Sequence, residues 1–209
     1  MTVHKSAFIL IEFQHKWLDE TGKLNGMMQD RQQFYDSIEQ AKVMLSAARN
    51  STNVAIVHVP MQLTPGYPEL GKATTGLRAA IQRAGTWTGM GREFVEPFVP
   101  KAGEFAVQGR VGASAFAGSN LDAYLRHNGI NKLYLAGYAL HVCVESTLRH
   151  GHDLGYTVTV LEDACSAFNQ RQRQQVLEDI VHHFGQRLTK NEFLQQIKTK
   201  PEVALSHRG

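Results

Sequence analysis

Cysteine is scarce in this chain: Cys143 and Cys165 are the only two in 209 residues. They form no Cys-x-x-Cys pair and match no zinc spacing, which excludes a zinc ribbon or a dithiol redox motif. So low a thiol content suits a reduced, cytoplasmic protein better than a disulfide-stapled one. Neither sign of charge dominates. Lys and Arg number 22 against 19 Asp and Glu, and the excess of +3 is scattered. No nucleic-acid motif accompanies it, so no nucleic-acid partner is expected. No apolar run approaches the ~20 residues of a membrane span. The start, Met1 to Ser6, has no signal-type apolar region, so a cytoplasmic location without membrane attachment is expected. Proline is also sparse, and five of its six residues fall between 60 and 100.

What the chain does have is alternation. Ala7-Phe-Ile-Leu-Ile11 is a continuous apolar run, as expected of a strand buried on both faces. Further strands are expected at Val54 to Val59, Phe105 to Val107, Lys132 to Ala136, Thr157 to Leu161 and, briefly, Gln186 to Leu188. Helical periodicity lies between them. Phe34, Ile38, Ala41, Leu45 and Ala48 recur at three- and four-residue steps, and similar patterns cover about 119–127, 142–154, 170–184 and 190–198. The stretch 61–103 gathers most of the Pro/Gly punctuation and reads as a long, loop-rich excursion. There is no internal repeat, low-complexity tract or linker, so one domain over 1–209 is expected. Strand–helix alternation predicts a mostly parallel six-stranded sheet in a three-layer α/β/α sandwich. Ligands of such sheets bind at the carboxyl ends of the strands. Glu12, His58, Arg110 and Cys143 all sit at or just after a strand end.

Cys143 follows the fourth strand and opens a helix. The helix dipole and unpaired N–H groups there are expected to stabilise a thiolate and to receive an oxyanion. Glu12 directly follows Phe8-Ile-Leu-Ile11, where an unpaired buried carboxylate would be costly. It is a candidate general base, the plain alternative being a Glu turned outward at the strand end. Arg110, in Gly109-Arg-Val-Gly-Ala-Ser-Ala-Phe116, is a candidate fixed charge for the thiol, or else a surface arginine. His141 is two residues from the sulfur, and side chains so spaced at a helix start do not face each other. His150, His152, His182 and His183 lack a third ligand at metal spacing, and Cys165 reads as an inert buried thiol. No metal and no cofactor is expected. Gln14, Trp17, His58, Tyr67, Trp87 and Phe116 are candidate walls of a compact, partly apolar substrate pocket.

With these residues placed, the chain resembles the isochorismatase-like cysteine hydrolases, over about residues 6 to 195. The resemblance rests on Phe8-Ile-Leu-Ile-Glu-Phe-Gln14, on Arg110 to Phe116, and on Ala136-Gly-Tyr-Ala-Leu-His-Val-Cys-Val144 running on to Asp153-Leu-Gly-Tyr156 and Glu162-Asp-Ala164. It implies an Asp-Lys-Cys triad, at whose positions this chain has Glu12, Arg110 and Cys143. It also implies a cis peptide at Tyr138-Ala139, with an oxyanion hole of backbone N–H groups at Ala139 or Leu140 and at Cys143. Leu140 stands where the family usually has Thr. No pair of closely spaced His follows the second strand, as metal-binding members would require. The implied activity is hydrolysis of a small amide or carbamoyl compound through a thioester, in a homodimer or homotetramer. A ligand-binding protein without turnover, a redox-sensing thiol and a vinyl-ether hydrolase are the alternatives.

Overall fold

A sheet whose strands are apolar on both faces has to be covered twice, and the helices do this. The computed structural model describes residues 6–198. Six strands form one sheet: β1 (Ser6–Ile11), β2 (Ala55–Val59), β3 (Phe105–Ala106), β4 (Lys132–Gly137), β5 (Thr157–Cys165) and β6 (Gln186–Leu188). Their order is β3-β2-β1-β4-β5-β6, and every neighbouring pair is parallel. The order reverses between β1 and β4. That is the switch point where such sheets open a crevice, and the chain leaving these two strands carries Glu12 and Cys143.

Alternate residues of β1 serve opposite cores. Phe8 and Leu10 pack with Phe34, Ile38 and Leu45 of α2 (Arg31–Arg49) and Phe193 and Ile197 of α8 (Lys190–Lys198). Ala7, Ile9 and Ile11 pack with Leu121 and Leu125 of α4 (Leu121–His127), Leu148 of α5 (Glu145–Asp153) and Val176 and Val181 further on. The six expected strands and the long helices are therefore present, as is the layering. Helix α2 begins where the Asp30 carboxylate accepts the Gln33 N–H, a conventional N-cap.

Three local features differ from the sequence reading. The excursion holds a helix, α3 (Gly76–Ala84), as well as loops. Strand β5 continues past Leu161 to Cys165, with a register shift against β4 between Leu135 and Gly137. The helix expected over 142–154 begins as a π turn, Leu140–Val144, before α5. Residues 170–184 form α6 (Gln170–Gln174), a π segment (Gln175–Ile180) and α7 (Val181–Phe184).

Gly137 fixes the junction of β1 and β4. Its φ is +134°, and a Cβ there would lie 2.0 Å from the Ile11 carbonyl oxygen. Only glycine allows the backbones to approach this closely. Near the other edge, Glu104 pairs with Arg49 of α2 at 2.7 Å and with the His58 Nε2 of β2 at 2.7 Å. Burial opposes ionisation of Glu104, but hydrogen bonds from Arg49, the Lys101 N–H and His58 hold its carboxyl at about 2. Burial pushes His58 below its usual value.

Gly137→Ala is expected to cost about 3 kcal/mol or more, read as a lower denaturation midpoint in urea. The pH dependence has a definite sign. Glu104 is depressed in the folded state, so its contribution is complete above the unfolded value near 4.5 and disappears as pH falls toward 2. Glu104→Gln should therefore flatten the fall in stability between these limits, as measured by urea denaturation across that pH range.

Candidate active site

The site begins with a reversal of the chain after β1. Glu12 has φ +62°, a left-handed conformation that is rare for a residue with a side chain. Its N–H still donates to the Val59 oxygen at 3.0 Å, and its own carbonyl accepts the Gln14 N–H at 2.8 Å. Such strain costs about 1–3 kcal/mol and marks positions that the surroundings over-determine. The short helix α1 (His15–Leu18) follows and folds Trp17 back, so that its Nε1–H donates to Glu12 Oε2 at 2.9 Å. The other carboxylate oxygen, Oε1, lies 2.7 Å from Arg110 Nη2. Both ionic side chains are about 1% exposed, so this pair is out of water.

Arg110 reaches the site from the loop after β3. Its Nε donates to the Gly112 oxygen at 3.0 Å and its Nη2 to the Ala113 oxygen at 2.6 Å, clamping that loop around the guanidinium. Cys143 arrives from the π turn after β4 and is buried, a free thiol that interacts with both Glu12 and Arg110. Thr147 couples the two segments. Its hydroxyl donates to the Cys143 oxygen at 2.7 Å and accepts the Ala115 N–H at 2.9 Å. Carboxylate, guanidinium and sulfur thus come together from three distant stretches of chain.

The electrostatics differ from the thiolate expected at a helix start. Burial pushes the Cys143 thiol up, the Glu12 charge adds to this, and Arg110 pulls it only partly back. These causes together favour the protonated thiol of Cys143. A buried thiol that keeps its proton until a base takes it is compatible with general-base activation. Cys165 is also free and buried, and burial pushes it up to about 12; its Sγ faces the Leu135 oxygen.

The Tyr138–Ala139 peptide is cis. Of the nearby N–H groups, that of Leu140 donates to the Ser166 oxygen at 2.8 Å and that of Cys143 to the Ala139 oxygen at 3.0 Å. The Ala139 N–H makes no hydrogen bond among the described residues. Tyr138 is fully buried and its hydroxyl contacts Ser37 at 3.1 Å.

Glu12 and Cys143 line a cavity of about 190 Å³. Of the six expected wall residues, Trp17 and Trp87 line it. The other four lie elsewhere. Gln14 is a clasp, with Oε1 accepting the Met61 N–H and Nε2 donating to the Met61 and Arg92 oxygens. His58 is taken up by Glu104. The Tyr67 hydroxyl donates to the Thr86 oxygen at 2.9 Å, bracing the excursion from outside the cavity. Phe116 stacks with Tyr156 on the opposite face of the sheet. The rest of the wall is Leu24, Met27, Met61, Thr86, Ala139, Val142 and Phe168, with Leu77, Ala80, Ile81 and Ala84 of α3. The i, i+3, i+4, i+7 spacing of that last quartet was the available signal. His141 packs edge-on to Phe168 and is not in the wall. Among the described residues no group of three or more His, Cys, Asp or Glu could hold a metal ion, and no helix is long and apolar enough to cross a membrane.

The doubly wound parallel sheet, with its polar cluster at the switch point, defines an α/β/α protein of ligand-binding or enzymatic type. A family model for the isochorismatase domain matches residues 6–192, and the chain belongs to that family of hydrolases. It is similar to a ureidoacrylate amidohydrolase, RutB, of Stutzerimonas stutzeri, at 30% identity over 220 residues, covering 99% of this chain and 88% of the relative. It also matches the secreted isochorismatase effector Isc1 of Verticillium dahliae, at 29% identity, covering 76% of this chain and 71% of the effector. Among solved structures, a cysteine hydrolase from Pseudomonas syringae superposes with a TM-score of 0.78 at 21% identity, covering 93% of this chain and 92% of that one. N-carbamoylsarcosine amidase from Thermoplasma acidophilum gives 0.68 at 21% identity, covering 90% and 97%.

Removing one partner of the buried pair should be costly. Arg110→Met is expected to lose about 3–5 kcal/mol, read by urea denaturation. The thiol should respond in opposite directions to the two charges. Glu12→Gln removes a cause that raises Cys143 and leaves Arg110, so iodoacetamide alkylation at pH 8 speeds up. Arg110→Met does the reverse. Mass spectrometry of the Cys143 peptide distinguishes these outcomes.

Proposed function

We propose that this protein hydrolyses the C–N bond of a small amide or carbamoyl compound, with Cys143 as nucleophile, Glu12 as proton carrier and Arg110 as the fixed positive charge paired with Glu12. The observation that carries this reading is the Glu12 carboxylate held between Trp17 Nε1 and Arg110 Nη2 while it interacts with the thiol at a cavity floor. The amidohydrolase and amidase among the relatives support the same bond class.

In this cycle Glu12 takes the Cys143 proton as the sulfur attacks the carbonyl carbon. The S–C bond forms and the carbonyl pair moves onto oxygen, with the Ala139 N–H as the available donor. Collapse breaks the C–N bond, and protonated Glu12 delivers its proton to the departing nitrogen. Water then gives a proton to Glu12 and its oxygen to the thioester carbon. The acid departs, and the sulfur recovers its proton from Glu12. Arg110 never changes charge in this sequence, as suits a guanidinium. The substitution of Arg for the lysine implied by the family resemblance therefore removes no proton that the cycle needs. The Glu12 carboxylate is fixed by the Trp17 hydrogen bond and the Arg110 ion pair.

Cys143→Ala is expected to abolish release of ammonia or amine from a panel of small amides and ureides. Glu12→Gln should lower kcat by about 100-fold or more while alkylation of the thiol persists. Turnover that survives in either variant would exclude the role assigned to that residue.

A further inference from the structure

The cavity walls carry information about the substrate that the reacting groups do not. Leu24, Met61, Ile81, Trp87, Val142 and Phe168 all belong to the wall. Thr86 brings the one hydroxyl among the wall residues, and Glu12 and Cys143 the reacting groups. Among the described residues that line it, none is Lys, Arg or His. Arg110 does not line the cavity, and its charge is already paired with Glu12. Lys23 is turned to the Ala84 and Gly85 oxygens outside it. The mouth continues the apolar character, since Met27 and Leu77 are both about 40% exposed there.

An anion entering this space would give up its hydration and meet the Glu12 carboxylate with no cation to receive it, which is an expensive placement. An uncharged apolar group instead gains from leaving water. The size also discriminates. A dry apolar cavity of about 150 Å³ admits benzene, so one of about 190 Å³ has room for a ring or branched alkyl group bearing one carboxamide.

We infer that the substrate is an uncharged small carboxamide whose non-reacting part is apolar, and that amides or ureides bearing a free carboxylate are rejected because no cation stands among the described residues of the wall. This rests on the hydrolase reading above and narrows it. It also separates the chain from its relative at 30% identity, since the ureidoacrylate in that protein's name carries a carboxylate.

The two tryptophans of the chain, Trp17 and Trp87, both line the cavity, so all tryptophan emission reports on its occupancy. The experiment titrates full-length Cys143→Ala with benzamide and isovaleramide, and with succinamate and N-carbamoylglycine, following emission at pH 7.5 (about the middle of the neutral range). The neutral amides are expected to bind at least about tenfold more tightly than the acids. Acids that bind as well as the neutral amides, or neutral amides that leave the emission unchanged, overturn the inference. Ala80→Lys places the missing cation at the exposed mouth. It is expected to raise the affinity for succinamate relative to that for benzamide about fivefold or more; an unchanged ratio counts against the charge argument. Wild-type turnover keeps the two readings apart. Cys143-dependent hydrolysis of N-carbamoylglycine in preference to the neutral amides sinks this inference and spares the hydrolase reading. Tight binding of the neutral amides, with no ammonia released from any panel member, does the opposite.

Discussion

The ion pair between Glu12 and Arg110 organises this molecule. Both charges are withdrawn from water, and an unpartnered charge in that position would be strongly destabilising. Each residue is therefore held by further bonds: Glu12 by Trp17 from the following helix, Arg110 by two carbonyls of its own loop. The pair links the end of the central strand to the loop after the edge strand β3. It also sets the field felt by the sulfur. A carboxylate beside a buried thiol raises the cost of the thiolate, and the guanidinium limits that cost. The same contact thus serves the architecture and the electrostatics.

The parallel sheet explains why such a pair can exist at all. Strands leaving a switch point diverge, and the chain segments that follow them converge over the gap. Gly137 lets β4 press its backbone against Ile11, which brings the Cys143 turn close to the Glu12 reversal. Thr147 and Ala115 then join the cysteine turn to the arginine loop from beneath. The Gly137 approach and the Thr147 hydroxyl thus hold the three segments that carry Glu12, Arg110 and Cys143.

Much of this was legible in the sequence. Apolar runs announced β1, β2 and β4, because a strand buried on both faces leaves few polar positions, whereas β6 is short and largely exposed. The helices α2 and α8 showed their periodicity for the same reason. The reactive cluster was legible because Glu12, Arg110 and Cys143 each sit at a strand end, where polarity is otherwise hard to account for. The cavity wall was harder. Tyr67 and Phe116 attracted attention as aromatics, yet one braces the excursion and the other belongs to the opposite core. Met61, Leu77 and Ile81 look like ordinary core residues, and only the folded path of the excursion turns them toward the sulfur. Helix α3 was masked by the proline and glycine around it, and nine residues give few repeats of the helical period. The continuation of β5 through Glu162 and Asp163 was equally hidden, because two adjacent acids read as a strand end.

Gln14 has a consequence of a different kind. One buried amide grips the excursion near its start at Met61 and near its end at Arg92. The stretch between those two points, α3 included, is tied at both ends by that clasp, while Lys23 holds its middle at Ala84 and Gly85. The part of the apolar wall that this stretch contributes, from Met61 to Trp87, can thus vary while Glu12, Arg110 and Cys143 stay in register.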